Sequence, residues 1–496
     1  MKKIWIIIAV IFLWGVALRA VEVISGNYLF GFDIGRDLLV ARNIVENHKL
    51  TLIGAQIGSG SAGIDGIFQG PGYYYLLTIP YVLFRGDPYG VMLMMFLFGI
   101  ATLAAVYWTV RRIFDQKTAV MALFLTAISP LIVSQSRFIW SPHPASLLIV
   151  FFFYFVSMIP KRPRLYAPLA LFFAGLTYHF EFAMTVPMII AVVIALPAVY
   201  RIKDAKTYLY SFASIFISFL PLVLFEARHG WMAVRSILSY SLPQGPVGRD
   251  VWFLRISDHL GPYIANAKNS FPIEHGFMPD WSFTLLVGGL LIALVFLWRR
   301  VFFRFLLLLL VTSYIILLFL NNIIWDYYLI HAHFIYMYVF AYIFIHNWRK
   351  TVFWLLVPFL FSMIASSVWR MKINYTYDFH DLGGVEKISG KKTAIDYVYE
   401  DANAALPAGR QAFSEFTFMA PIYTYPYEYL FETYGKTKYG YMPGREKKGL
   451  VYLIIEPDAS KPWTYKGWLE TVIVGGDIIK TVTLPTGHII QVRQFP

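Results

Sequence analysis

The chain contains no cysteine, so neither disulfide bonds nor thiolate metal sites are open to it. Charge is scarce as well: Asp, Glu, Lys and Arg make up 14% of its 496 residues, while 58% are hydrophobic. A soluble chain of this length carries about a quarter charged residues, so that class is excluded and the lipid bilayer is the expected solvent. No internal repeat is visible, which argues against a fold built from duplicated halves. What the chain has in plenty is aromatic side chains, 18% overall with 34 Tyr and 14 Trp. That content suits helix ends anchored by amphipathic rings at the headgroup level.

Apolar runs close to the roughly 20 residues needed to span a bilayer lie at 4–21, 88–110, 118–136, 143–160, 165–181, 183–200, 207–225, 282–298, 303–320, 327–346 and 351–369. They predict a polytopic α-helical membrane protein of about eleven transmembrane helices. Met1-Lys2-Lys3 followed by Ile4 to Ala20 has the outline of a signal peptide, but the stretch is long and Leu18-Arg19 spoil a cleavage site, so it reads as an uncleaved first helix. The net charge of +13 sits in short clusters between apolar runs, a topology signal that gives no reason to expect nucleic acid. Arg111/Arg112/Lys117, Lys161/Arg162/Arg164, Arg201/Lys203/Lys206, Arg299/Arg300/Arg304 and Arg349/Lys350 all fall on the side of Lys2 and Lys3, and the opposite short turns are nearly free of Lys and Arg. By the positive-inside rule the amino terminus is cytoplasmic in a multi-pass plasma-membrane protein, and everything after about residue 370 lies outside. Gly72 to Phe84 is too short to span comfortably and reads as an interfacial helix.

The expected organisation is therefore a transmembrane unit at 1–370 and an extracytoplasmic α/β domain at 371–496. Within the first, 22–87 and 226–280 are large outer loops. In the tail, Lys392 to Ala405 has helical periodicity, and Leu450 to Ile455, Glu470 to Val474 and His488 to Val492 are β-branched runs that predict strands.

The chemistry gathers in the first outer loop. If residues 33–46 are helical, Asp33 and Asp37 stand one turn apart on one face with Arg36 beside them. The alternative is an aspartate that only caps a helix start. Further on, Gly66-Ile67-Phe68-Gln69-Gly70-Pro71-Gly72-Tyr73-Tyr74-Tyr75 is a turn leading into an aromatic helix, whose tyrosines an interfacial belt also explains. Ser136-Arg137-Phe138-Ile139-Trp140-Ser141-Pro142, Gly175-Leu176-Thr177-Tyr178-His179-Phe180 and Leu224-Phe225-Glu226-Ala227-Arg228-His229-Gly230 supply further polar groups at outer helix ends.

An acidic residue after the first helix, an Arg three residues on, and a later Pro followed by Tyr-Tyr resemble the first loop of the membrane glycosyltransferases of C-type fold. That group contains the protein O-mannosyltransferases and the bacterial aminoarabinose transferases, and the resemblance covers roughly residues 1–350. It implies a GT-C-like fold, a polyprenyl-phosphate-linked sugar donor and Asp33 as the catalytic carboxylate. Arg36, Asp37, Gln69, Tyr74, Arg137, His179 and Arg228 are the candidate substrate contacts, with a glycan, lipid or protein as acceptor. The chain departs from the pattern at Ile34, where the family often has a second acidic residue. It departs again at Gln69-Gly70, where aminoarabinose-type relatives carry Glu-Lys.

Asp33 would act as general base on an acceptor hydroxyl, and guanidinium groups would neutralise the leaving phosphate. A single displacement would invert the anomeric carbon, since a second carboxylate is not clearly placed as nucleophile. No cofactor is required; a divalent metal bridging Asp33 and the phosphate is compatible with this chemistry. Glu181 shares an outer helix end with His179. Asp326, His331 and His333 bracket another, but two histidines two residues apart do not share a helical face and make a poor metal site. Tyr423, Tyr425, Tyr427 and Tyr429 suit either sugar stacking or one face of a loop or strand. The rival classes are a membrane transporter or lipid-linked sugar flippase, and a non-catalytic glycan-binding subunit.

Overall fold

The computed structural model describes residues 2–57, 66–241, 249–318, 324–347, 350–381, 383–405, 413–420, 423–458 and 460–496, apart from the side chains of Lys2 and residues 237–255. Arg349 of the last basic cluster lies outside the described residues. Each of the eleven apolar runs is helical across most of its described length. Among the described residues five helices are long and apolar enough to cross a membrane: Tyr89–Ile113, Ala205–Arg228, Asp280–Arg299, Asp326–His346 and Thr351–His380. Gln116–Ile128, Ala145–Met158, Phe182–Ala198 and Val301–Leu317 are shorter apolar helices beside them. Helix Ile330–His346 is the axis of the bundle, with every residue from Ile330 to Phe344 buried. The outer helices do the reverse. Leu209, Phe212, Leu285, Phe296 and Trp354 are exposed, an apolar surface suited to hydrocarbon rather than water.

The basic turns meet at one end of the bundle. His346 Nε2 lies 3.3 Å from Asp115, the Arg300 guanidinium lies over the Tyr342 ring at 5.1 Å, and Arg164 donates two hydrogen bonds to Asp204 at 2.8 and 2.9 Å. At the other end, helix Gln116–Ile128 stops where Pro130 removes an N–H and so strands the carbonyl of Thr126. Buried Arg19, the last residue of helix Lys2–Arg19, repairs the break by donating to the carbonyls of Thr126 at 3.0 Å and Ala127 at 2.9 Å.

The first outer loop folds into helix Phe32–Glu46 and the short helix Gly72–Leu83, which pack together. The last apolar helix, Thr351–Thr376, continues beyond residue 370, so the tail starts later than the hydropathy alone suggests. Its sheet has four strands, β1 (Ser414–Phe418), β2 (Gly449–Ile455), β3 (Asp477–Thr483) and β4 (Ile489–Phe495), in the order β1-β2-β4-β3. β1 and β2 run parallel, and the other pairs are antiparallel.

β2 is buried on both faces. Tyr452 and Ile454 pack beneath helix Ile388–Ala405, while Val451 and Leu453 meet Ile473 and Phe495. This corrects one expectation: Glu470 to Val474 is not a strand. Residues Leu469–Ile473 form a helical turn, because covering the second face of β2 with Ile473 outweighs the β-propensity of the run. The tail also shares its core with the first loop, since Tyr28, Phe30, Ile34, Leu38 and Ala41 belong to the same apolar cluster as Ile395, Tyr427, Leu430 and Ile490.

Candidate active site

Helix Phe32–Glu46 begins at Gly31, whose extended backbone makes it the N-cap without any side-chain cap. Asp33 is thus free of capping duty and turns to Arg36, whose Nη1 lies 2.8 Å from its carboxylate. The same guanidinium donates from Nε and Nη2 to Asp37 at 2.8 and 2.7 Å. One arginine therefore bridges two carboxylates a helical turn apart, the geometry that their spacing predicts. The two carboxylates differ in surroundings: the side chain of Asp33 is 42% exposed and that of Asp37 only 4%. Burial pushes the Asp37 carboxyl up to about 6, against the pull of Arg36 and helped by repulsion from Asp33. The Tyr74 phenol lies within interaction reach of Asp37 and Arg36, and burial holds it protonated as a donor.

Two aromatic walls flank this array. Phe32 lies under the Arg36 guanidinium at 5.5 Å. Across from it the Tyr327 ring is within electrostatic reach of both Asp33 and Glu181 and sits edge-on to Trp140 at 4.4 Å. Trp140 belongs to a segment read as a helix opening, but nothing in the sequence marks Tyr327. It reaches the site only because the central helix ends there.

The Gln69 segment is a structural clamp. Tyr178 donates its hydroxyl to the Phe68 carbonyl at 3.1 Å, the Gly70 N–H donates to the Tyr178 carbonyl at 3.1 Å, and the Gly72 N–H donates to His179 Nδ1 at 3.2 Å. A Cβ at Gly70 would stand 2.2 Å from that same imidazole nitrogen. The lysine that aminoarabinose-type relatives carry at this point has no room here, and the imidazole occupies the space. Gln69 itself accepts a long hydrogen bond from Ser141 at 3.4 Å.

Several expected contacts do not join the array. Arg137 is committed to Glu22 by three contacts of 2.6 to 2.9 Å and further to Asn374 at 2.8 Å and Asp378 at 3.1 Å. It is held in an ion-pair cage apart from the Asp33–Arg36–Asp37 array. Arg228 is exposed at the end of helix Ala205–Arg228, with no contact to Asp33 among the described residues. His179 is held by Gly72 and the Ser218 backbone and so positions the Gln69 turn. Glu181 is buried and caps helix Phe182–Ala198 by accepting from the Ala183 N–H at 3.0 Å. His331 and His333 hydrogen-bond to Ser313 and Ser270, each at 3.0 Å. Among the described residues no cluster of three His, Asp or Glu suits a metal ion.

A cleft of about 570 Å³, which no residue of the array lines, is bounded by Leu18, Leu29, Leu131, Phe138, Phe271 and Ser367, with the Glu22–Arg137 pair at a polar edge. A hollow of about 610 Å³ among Arg162, Arg201 and Lys203 belongs to the opposite, basic end.

The fold is shared with membrane glycosyltransferases, and a mannosyltransferase family model matches part of the chain. The family described as dolichyl-phosphate-mannose-protein mannosyltransferase matches residues 69–225. A crystal structure of ArnT from Cupriavidus metallidurans bound to undecaprenyl phosphate superposes with a TM-score of 0.58 at 11% identity, covering 99% of this chain and 98% of that one. The apo form of the same ArnT gives 0.56 at 11% identity, over 99% and 98% of the two chains. The Archaeoglobus fulgidus oligosaccharyltransferase in complex with Zn and sulfate gives 0.51 at 14% identity, over 98% of this chain and 72% of that one. No curated protein matches the chain in sequence.

Proposed function

We propose that the protein transfers a sugar from a polyprenyl-phosphate donor to an acceptor hydroxyl at the extracytoplasmic face of the cytoplasmic membrane, with Asp33 as general base. The observation that carries this reading is the Asp33–Arg36–Asp37 array: one open carboxylate, a cation and a sealed carboxylate on a rigid helix. In the step, Asp33 takes the proton of the acceptor hydroxyl while its oxygen bonds to the anomeric carbon. The bond from that carbon to the phosphate oxygen breaks, and the polyprenyl phosphate leaves with the electron pair. Arg36 lies close enough to Asp33 to meet the developing phosphate charge, and Tyr74 steadies Arg36 through Asp37. Because Asp37 is buried against Arg36 it is not poised as a nucleophile, which favours one displacement with inversion.

The donor class is supported by the ArnT crystal structure, which holds undecaprenyl phosphate in the same fold. The apolar cleft beside Leu29 and Phe138 suits the prenyl chain. The outward orientation is supported by the gathering of basic turns at the end of the bundle opposite Asp33.

The test is to incubate purified protein and its Asp33→Asn form with a panel of polyprenyl-phosphate sugars and to follow donor cleavage. Loss of the base is expected to slow turnover by about 10²–10⁴-fold. Equal turnover by both forms removes Asp33 from the chemistry, and translocation of the donor without cleavage makes the protein a flippase.

A further inference from the structure

The four tyrosines of the tail divide into two pairs. Tyr427 and Tyr429 are fully buried and engaged, the first with Glu456 and His488 and the second with the Gly86 carbonyl. Tyr423 and Tyr425 are not. Their rings lie parallel, 9° apart in plane and 5.7 Å between centroids, and Tyr423 is 55% exposed. Both rest on Phe32, at 5.2 and 5.4 Å, and neither hydroxyl is hydrogen-bonded among the described residues.

Phe32 is the residue before Asp33 and lies beneath the guanidinium that holds Asp33. The three rings are thus continuous with the carboxylate array. Their position is rigid: helix Tyr425–Leu430 is seated on helix Phe32–Glu46 at Gly35, where a Cβ would come within 2.4 Å of the Pro426 nitrogen. Arg42 and Glu432 form an ion pair across the same contact.

We propose that Tyr423, Tyr425 and Phe32 form a stacking subsite for a pyranose ring of the acceptor, which makes the acceptor a glycan. A pyranose offers a face of C–H bonds to an aromatic ring and hydroxyls at its edge, and an exposed Tyr423 ring stacked on a half-buried Tyr425, neither phenol hydrogen-bonded among the described residues, matches both features. The assignment to the acceptor rests on the proposed base, whose partner is the acceptor hydroxyl, and on where the lipid of the donor must lie. The prenyl chain of a donor needs the apolar side of the bundle, whereas this patch is built by the loop and the sheet-bearing tail.

Saturation-transfer NMR on the full-length protein in nanodiscs tests the subsite without requiring turnover. The probes are the methyl glycosides of mannose, glucose and galactose, with farnesyl-phosphate mannose as donor control. Saturation is expected on the ring C–H protons of at least one glycoside with the wild-type protein. It is expected to weaken roughly fivefold to tenfold in the Tyr423→Ala/Tyr425→Ala double variant and to persist in the double Phe variant, which keeps the rings. Undiminished transfer in the Ala variant, or no transfer to any glycoside in wild type, overturns the subsite. A loss confined to the donor control overturns the assignment to the acceptor. Glycoside stacking in a protein that cleaves no donor would refute the transferase reading alone, and cleavage with no stacking would refute the subsite alone.

Discussion

At the scale of single residues, the site turns on how one arginine is shared. While Asp37 is ionised, Arg36 divides its donors between two carboxylates, leaving Asp33 with a single contact. Protonation of Asp37 leaves Arg36 to Asp33 alone, which weakens the base. Since burial lifts Asp37 to about 6, turnover is expected to fall as the pH drops through about 6 and to be full above it. Asp37→Asn cannot titrate, so its pH–rate profile should lose that limb and run about 10-fold lower at pH 8. An unchanged profile would detach Asp37 from the chemistry. The Asp33, Arg36 and Asp37 geometry was legible in the sequence because i, i+3 and i, i+4 spacings on a helix are local. The fate of Arg137 was not, because its partners, Glu22 on one side and Asn374 with Asp378 on the other, come from two parts of the chain far from it.

At the scale of elements, the contact between the loop helix and helix Tyr425–Leu430 holds the helix that carries Asp33 in place. Gly35 allows it: Pro426 and Tyr425 approach with backbone atoms, which cannot swing aside as a side chain can. Gly35→Ala should cost about 1–3 kcal/mol by overpacking, visible as a lower melting temperature together with reduced donor cleavage. Gly384→Ala is the control, since that exposed position lies outside helix and strand and a Cβ there meets nothing within 4 Å, and it should change stability by about half a kcal/mol at most. Similar losses in both variants would show that the interface is not what Gly35 protects. The apolar helices were readable from composition, as was helix Ile388–Ala405 from its period. The turn at Leu469–Ile473 was not, because a β-branched run becomes a strand only where a neighbouring strand awaits it, and β2 already has partners on both edges.

At the scale of the whole molecule, the absence of cysteine makes topology directly testable. Single cysteines at the exposed positions Lys203 and Lys461 report on the two ends without background. In intact cells a membrane-impermeant maleimide should label Lys461→Cys, and it should reach Lys203→Cys only after permeabilisation. The reverse pattern would put Asp33 in the cytoplasm. The bilayer class, the positions of the apolar helices and the gathering of the basic turns at one end follow from the order of residues, because hydropathy and charge act on each segment by itself. Which polar groups share a site does not follow. The tail lies on the first loop in one common core, Tyr327 packs on Trp140 from nearly two hundred residues away, and Gly70 yields its space to His179. Those pairings come from packing between segments far apart in the chain, and only the folded bundle brings them within contact.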